Sequence, residues 1–312
     1  MENQTYIKEF QLLPFYANSH YILLTTCVFF TIYMFGVVIN FIIITVIYID
    51  YQLHTPMYLF LCNLALLDIC YTTTTVPNLL HMLLSGDNSV SFTQCFTQMY
   101  FYSLVGCTED LLIFIMSYDR YVAICDPLHY HSVLNRKNCI LFASGVWTLG
   151  CLNSILFTLT VAKMSFCYSN TIHQFFCDTK SLINISCAIP REFYIVFYIQ
   201  LLVFAFFPVV FSLISYIKII RVILQIKSKD GRKKAFSTCS SHLTVVIIYY
   251  TTATCVYMMP PSENSNVLEQ VLTVLYSVVT PMINPLIYTL RNKDVKRALL
   301  RILGVKQYIE DF

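Results

Sequence analysis

M-S-Y-D-R-Y-V-A-I-C, residues Met116 to Cys125, closes an apolar run that begins near Cys95 and sets Asp119 beside Arg120 where the run stops. A charge at the centre of a bilayer costs about 2.5–3.5 kcal/mol on insertion scales, so an ionisable pair in such a run needs a partner or a purpose. At a helix end the cost falls, and the neighbouring carboxylate can hold the guanidinium. Two readings fit: a membrane-boundary anchor, or a working charge pair. The place of this run among the others separates them.

It is the third of seven apolar blocks, near 23–49, 57–80, 95–125, 140–161, 192–224, 235–260 and 267–290. About 20 apolar residues cross a bilayer as a helix. The 312 residues are 57% hydrophobic and 12% charged, with a mean hydropathy of +0.64, against about 25% charged in a soluble domain. The chain reads as an all-α membrane protein: one seven-transmembrane bundle over 23–304, an external tail over 1–22 and a cytoplasmic tail over 305–312. The third, fifth and sixth blocks run past the hydrocarbon, and no separate soluble domain fits. With the N-terminus outside, sixteen of the twenty Lys and Arg residues fall on the cytoplasmic side, an asymmetry that orients the bundle. The net charge of +3 is then a positive-inside signature and not a sign of nucleic-acid binding. Residues 1–20 lack the basic and apolar regions of a cleavable signal peptide, so the first span is expected to direct its own insertion.

Polar residues inside the blocks carry the next signals. Asn40 is expected to face the bundle and bond to a neighbouring helix, and Pro56 suits the first turn of the second helix. Asp68 is a lone carboxylate near mid-bilayer, either a functional site or a hydrogen-bond hub. Glu109 and Asp110 point about 100° apart and cannot share a face. Ser103, Gly106, Cys107 and Asp110 do share one by their spacing. Asp110 is either the floor of a ligand cavity or a core acid. Trp147 reads as a helix-packing residue, and Pro208 should bend the fifth span.

The external loop from Lys163 to Arg191 holds Cys167, Cys177 and Cys187, and Cys95 lies at the external end of its helix. Four cysteines on the oxidising side suggest two disulfides, with three connectivities open. Zinc fits less well, because no C-x-x-C spacing is present. Asn3-Gln4-Thr5 is a glycosylation sequon, and Asn184-Ile185-Ser186 is a second, crowded by Cys187. The basic run Lys227–Lys234 reads as the third internal loop, with affinity for anionic lipid. Residues 291–304 alternate basic and apolar as a short cytoplasmic amphipathic helix would. A transporter would show internal repeats, and a channel a filter loop or rings of charge; neither is found. The seven histidines are scattered and no H-E-x-x-H or G-x-S-x-G occurs, so no catalytic or metal site is assigned.

Four stretches give the chain a family resemblance. L-H-T-P-M-Y-L-F-L at 53–61, M-S-Y-D-R-Y-V-A-I-C-D-P-L-H-Y at 116–130, K-A-F-S-T-C-S-S-H at 234–242 and P-M-I-N-P-L-I-Y at 281–288 fall in order in the right helices. With Asn40, Asp68, Trp147, Pro208 and Ser215-Tyr216, they resemble a rhodopsin-like G-protein-coupled receptor and, within that class, an odorant (olfactory) receptor. The resemblance spans about Asn3 to Gly304. It implies a non-enzymatic receptor in the plasma membrane of an olfactory sensory neuron, with a small-molecule odorant outside and a heterotrimeric G protein of the stimulatory type inside. Cys95 would pair with Cys177 and Cys167 with Cys187. Asp119 would restrain Arg120 at rest, with Tyr121, Tyr216, His242, Asn284, Pro285 and Tyr288 in the coupling machinery. Asp68 and Glu109 would form a central polar site for water or a sodium ion, with no other cofactor.

By position, the ligand cavity is expected between Tyr102, Ser103, Gly106, Cys107 and Asp110 of the third span, Gln200 and Phe204 of the fifth, and Tyr250, Ala253, Thr254 and Tyr257 of the sixth. An ionised Asp110 there would favour amines. Three departures from the family pattern stand out. Ile39 replaces the usual Gly before Asn40, Ser117 replaces Ala, and Tyr249-Tyr250-Thr251 replaces F-Y-G.

Overall fold

The computed structural model describes residues 8–14, 21–167, 169–258 and 266–302. Among them, seven helical segments are long and apolar enough to cross a membrane: Ile22–Ile49, Pro56–Ser85, Phe92–Cys125, Arg136–Ala162, Arg191–Gln225, Cys239–Tyr257 and Val267–Thr289. Helix is the expected outcome for such blocks, since in hydrocarbon each backbone N–H and C=O must be satisfied within its own segment. Phe30, Phe41, Leu141, Leu156, Ile195, Tyr198 and Leu213 stand exposed on these spans, which is how a lipid-facing surface reads.

Helix α1 (Ile22–Ile49) packs on α2 (Pro56–Ser85), and α2 on α3 (Phe92–Cys125). Past the short α4 (Tyr130–Val133) comes α5 (Arg136–Ala162), the fourth span. Helix α3 touches α2, α5 and the fifth and sixth spans, so it is the central post. Its 34 residues reach about 51 Å, well beyond the ~30 Å of hydrocarbon. Ser91 and Gln94 close its start with a reciprocal capping box. Pro56 takes the first turn of α2 as expected, and the helix runs past Pro77 to a left-handed Gly86 with φ 70°.

The fifth span is built from α7 (Arg191–Gln200), a π-turn at Leu201–Phe206 and α8 (Phe207–Gln225). Pro208 has no N–H for the carbonyl one turn back, and the ladder widens just before it, with Phe207 N donating to Leu202 O. The seventh span repeats the device. Between α10 (Asn266–Val274) and α11 (Thr280–Arg291), a π-turn at Leu275–Val279 precedes Pro281, and Thr280 donates to Leu275 O from both its N–H and its hydroxyl.

Three stretches are more ordered than the sequence suggested. The basic run expected as a loop is already helical, because α9 spans Lys229–Tyr257 and is capped by Ser228, whose Oγ accepts from Gly231 N. Lys and Arg are good helix formers, so the loop shrinks to 226–228. In the external tail, Glu9–Leu12 forms β1, antiparallel to β2 (Ser89–Ser91) and parallel to β4 (Thr171–Ile172). Phe10 and Leu12 are fully buried, the alternation of a one-sided strand. In the long loop, β3 (Ser165–Phe166) pairs with β5 (Ser186–Ala188), and α6 (Thr179–Ile185) starts on the Asp178 carboxylate, which accepts from Ser181 N and Lys180 N. Burial pushes the Asp178 carboxyl above the usual carboxylate range, against these bonds. Disulfides join Cys95 to Cys177 and Cys167 to Cys187. At the other end, α12 (Lys293–Ile302) is the amphipathic helix. Arg301 ties it to the first connection, through Asp50 at 2.5 Å and Gln52 at 2.7 Å. The sequon at Asn3 lies outside the described residues.

Candidate functional site

Polar side chains gather at three levels of the bundle. At the end away from the disulfides, Asp119 and Arg120 are both buried. Arg120 Nε donates to Asp119 Oδ2 at 2.8 Å and Nη2 reaches the same oxygen, while Tyr130 OH donates to Oδ1 at 3.0 Å. Both carboxylate oxygens are thus engaged, one by the arginine and one by a phenol from α4. Burial and then the Asp119 carboxylate push the Tyr130 phenol above its ordinary range. Tyr216 OH and His242 Nδ1 lie 2.5 Å apart and join α8 to α9. His242 Nε2 and Tyr288 OH are buried without a hydrogen-bond partner. Lys218 Nζ stands 5.3 Å over the Tyr121 ring, a cation–π distance. A cavity of about 690 Å³ lies here, lined by Tyr58, Arg120, Lys233, His242, Tyr288 and Arg297 among others. Its lining carries the basic Arg120, Lys233 and Arg297 beside the acidic Asp230 and Asp294, and unmet hydrogen-bonding capacity at His242 and Tyr288.

At mid-height, Asn284 of α11 donates to Asp68 Oδ1 at 3.0 Å, and Pro285 follows inside the same helix. Asn40 donates to Gly36 O at 3.0 Å and across to Pro281 O at 3.2 Å, the neighbour-helix bond its position called for. Trp147 Nε1 donates to Asn63 Oδ1 at 3.0 Å, locking α5 to α2. Glu109 is buried with Oε1 unpartnered, as are the Oδ1 atoms of Asn40 and Asn284.

Toward the disulfides, Tyr249 OH donates to Asp110 Oδ1 at 3.1 Å, and Tyr276 OH donates to the Tyr249 hydroxyl at 3.3 Å. The four residues read as one face of the third span divide their attention. Ser103 and Cys107 bond to Ser154 and Asn153 of α5, Asp110 turns to α9, and Gly106 lies under the Tyr71 hydroxyl. Tyr102 wedges between Tyr71 and Phe176, with ring centroids at 4.9 and 4.6 Å. Gln200 and Tyr250 each hold a buried polar atom without a partner, and Phe204 is buried in the π-turn. Ala253 packs on the core, whereas Thr254 is exposed and bonds back to Tyr250 O of its own helix. Tyr257 meets Tyr276 edge-on at 6.1 Å.

Tyr71, Tyr276 and Phe176 join this level without having been singled out from the sequence. Phe176 was legible as the neighbour of a paired cysteine, since Cys177 N donates to Gln98 Oε1 at 3.0 Å beside the disulfide. Two of the three departures also find a physical account. Ser117 spends its hydroxyl on Ile113 O at 2.9 Å within its own helix. Thr251 is exposed, so its β-branch displaces nothing in the bundle. For Ile39, which is half-buried, no compensation is evident beyond Gly36 on the same helix, which lies in contact with Met282.

The fold resembles that in the crystal structure of squid rhodopsin, with a TM-score of 0.72 over 94% of this chain and 89% of that one at 14% identity. Seven spans with an Asp-Arg pair buried at the basic end of the third make a rhodopsin-like seven-helix fold. The olfactory receptor family profile matches residues 28–306. Olfactory receptor 1468 of Rattus norvegicus is 42% identical over 98% of both chains, and Olfactory receptor 1C1 of Homo sapiens is 42% identical over 96% of both. The chain belongs to the olfactory receptor family of G-protein-coupled receptors, which are signalling proteins and not enzymes.

Proposed function

We propose that this chain is an odorant receptor of the plasma membrane with its N-terminus and disulfides extracellular, and that it drives a stimulatory heterotrimeric G protein, raising cyclic AMP. The observation that carries the reading is the buried Arg120, held by Asp119 and indirectly by Tyr130 at the wall of a 690 Å³ cavity. A buried guanidinium answered by one neighbouring carboxylate is left as an uncompensated charge when that pair opens, and the cavity lies beside it. Sixteen of twenty basic residues on that side support the cytoplasmic assignment, and the same charges favour contact with anionic lipid.

The ligand's place is between the third, fifth and sixth spans, at Tyr102, Gly106, Asp110, Gln200, Phe204 and Tyr250, with Ser103, Cys107, Ala253, Thr254 and Tyr257 around them. Aromatic walls with a few unpartnered polar atoms suit a small, partly polar organic molecule. Asp68 and Glu109 form the polar hub below it. The unpartnered oxygens of Glu109 and Asn284 fit a hard monovalent cation such as sodium, which would screen the two carboxylates. Asn3 is the glycosylation site.

The test is Arg120→Ala in a cell assay with a panel of volatile and water-soluble compounds and a cyclic-AMP readout. The expected outcome is loss of coupling with surface expression and glycosylation intact. Normal signalling from that variant removes Arg120 from the coupling role.

A further inference from the structure

The disulfide end of the bundle is covered by chain from three places. The first is the long loop, in which Ile172, Gln174, Phe175, Phe176 and Cys177 are each no more than 2% exposed. Phe176 packs on Tyr102 of α3 with ring centroids 4.6 Å apart. The second is the tail, whose strand β1 pairs with β4 of that loop and buries Phe10 and Leu12. The third is α10, the external start of the seventh span.

Three side chains of α10, spaced to share one side of the helix, hold the other two covers. Glu269 Oε1 lies 3.1 Å from Lys180 Nζ of the loop helix α6. Gln270 Nε2 donates to His173 O of the loop at 3.1 Å and to Leu13 O of the tail at 2.9 Å. Thr273 Oγ1 accepts from Gln174 Nε2 at 3.2 Å. The Lys180 and Glu269 side chains are 21% and 15% exposed, so this is not one of the fully solvated pairs that hold nothing together. Both groups nevertheless lie at the aqueous end, where water can take either partner's place when they part. Just beyond, α10 ends at the π-turn Leu275–Val279. Tyr276 of that turn donates to the Tyr249 hydroxyl, which in turn serves Asp110, so a shift of α10 reaches the Asp110 level.

We propose that Lys180 and Glu269 are positioning residues that clasp the long loop to the seventh span, and that this clasp parts to pass a small organic molecule from the water side to the Asp110 level. The inference rests on the ligand placement given above. Its test reads access to the bundle interior and needs neither a known odorant nor coupling, so the two readings fail separately. Of the three ties, the ion pair is the one whose sense can be inverted and then restored. Like charges facing each other across the clasp repel, and exchanging both residues recovers the attraction.

The experiment labels the full-length receptor on intact cells with a membrane-impermeant biotin methanethiosulfonate and follows the rate at surface receptor. Cys107, a buried free thiol one turn from Asp110, is the reporter, with the exposed Cys27 and Cys255 replaced by serine and Cys107→Ser as the background. Tyr102→Cys, directly against Phe176, is a second reporter. Labelling is expected to be slow in the parent, about tenfold faster or more in Lys180→Glu and in Glu269→Lys, and slow again when both reversals are combined. Lys180→Gln and Glu269→Gln, expected to give a smaller increase, replace any reversal that fails to reach the surface. Fast labelling of the parent overturns the inference, because the entry is then not closed. So do single variants as slow as the parent at both reporters, or a double reversal as fast as the single ones.

Discussion

A buried ion pair is informative through its remaining bonds more than through the pair itself. Asp119 would hold Arg120 whether or not anything else were near, but its second oxygen is taken by Tyr130 from a different helix, so the pair also senses where α4 sits. Removing that phenol weakens the hold on Arg120 without unpairing it. Tyr130→Phe is expected to raise ligand-independent cyclic AMP several-fold per receptor at the surface, since losing one hydrogen bond to a charged group costs about 1.5–3 kcal/mol; an unchanged basal signal would show that the bond does not restrain the arginine. A second residue-scale case is Gly150. A Cβ there would overlap Thr108 Oγ1 and approach Leu104 O to 3.3 Å, and the Thr108 hydroxyl is committed to that same carbonyl at 2.7 Å. Gly150→Ala should therefore destabilise the α3–α5 contact by about 1–3 kcal/mol, read as a lower melting temperature in detergent, and Thr108→Ala in the same chain should recover most of the loss.

The elements of this bundle take their shape from where backbone donors are missing. Pro208 and Pro281 each follow a π-turn by two residues, so the fifth and seventh spans carry the same irregularity for the same reason. Both prolines were visible in the sequence, but a proline alone predicts a bend and not the widened turn that absorbs it. At the disulfide end, the two bridges do unequal work. Cys95–Cys177 closes 82 residues and ties the loop to α3, while Cys167–Cys187 closes 20 residues within the loop. Chain-entropy reasoning assigns about 3 kcal/mol to a 15-residue closure and about 4.7 kcal/mol to a 100-residue one. Cys95→Ser should accordingly lower surface staining and thermal stability more than Cys167→Ser does, and the reverse order would show that local loop structure outweighs closure entropy. The Arg301 bridge to Asp50, with its guanidinium exposed, carries little stability by comparison.

For the molecule as a whole, α3 carries polar side chains at each level of the bundle: Asp110 bonded by Tyr249, the buried Glu109, and the Asp119–Arg120 pair. The number of spans and the amphipathic last helix were legible, because hydrocarbon leaves a long apolar block no choice but helix and places its charges at the ends. The motif stretches at 53–61, 116–130, 234–242 and 281–288 carried the family for the same reason: they are local, and local pattern survives in one dimension. What the chain alone left open were contacts between blocks distant in sequence. That Tyr249 serves Asp110, that the Tyr71 hydroxyl lies over Gly106, that Ser103 and Cys107 turn to α5, and that the tail adds a strand beside Ser89–Ser91 and Thr171–Ile172 all depend on helix rotation and on chain segments up to 160 residues apart. Rotation about a helix axis is decided by packing against neighbours, since lipid treats every apolar face alike. Sequence therefore determined which segments span and which residues carry charge, and the tertiary structure decided which of those residues meet.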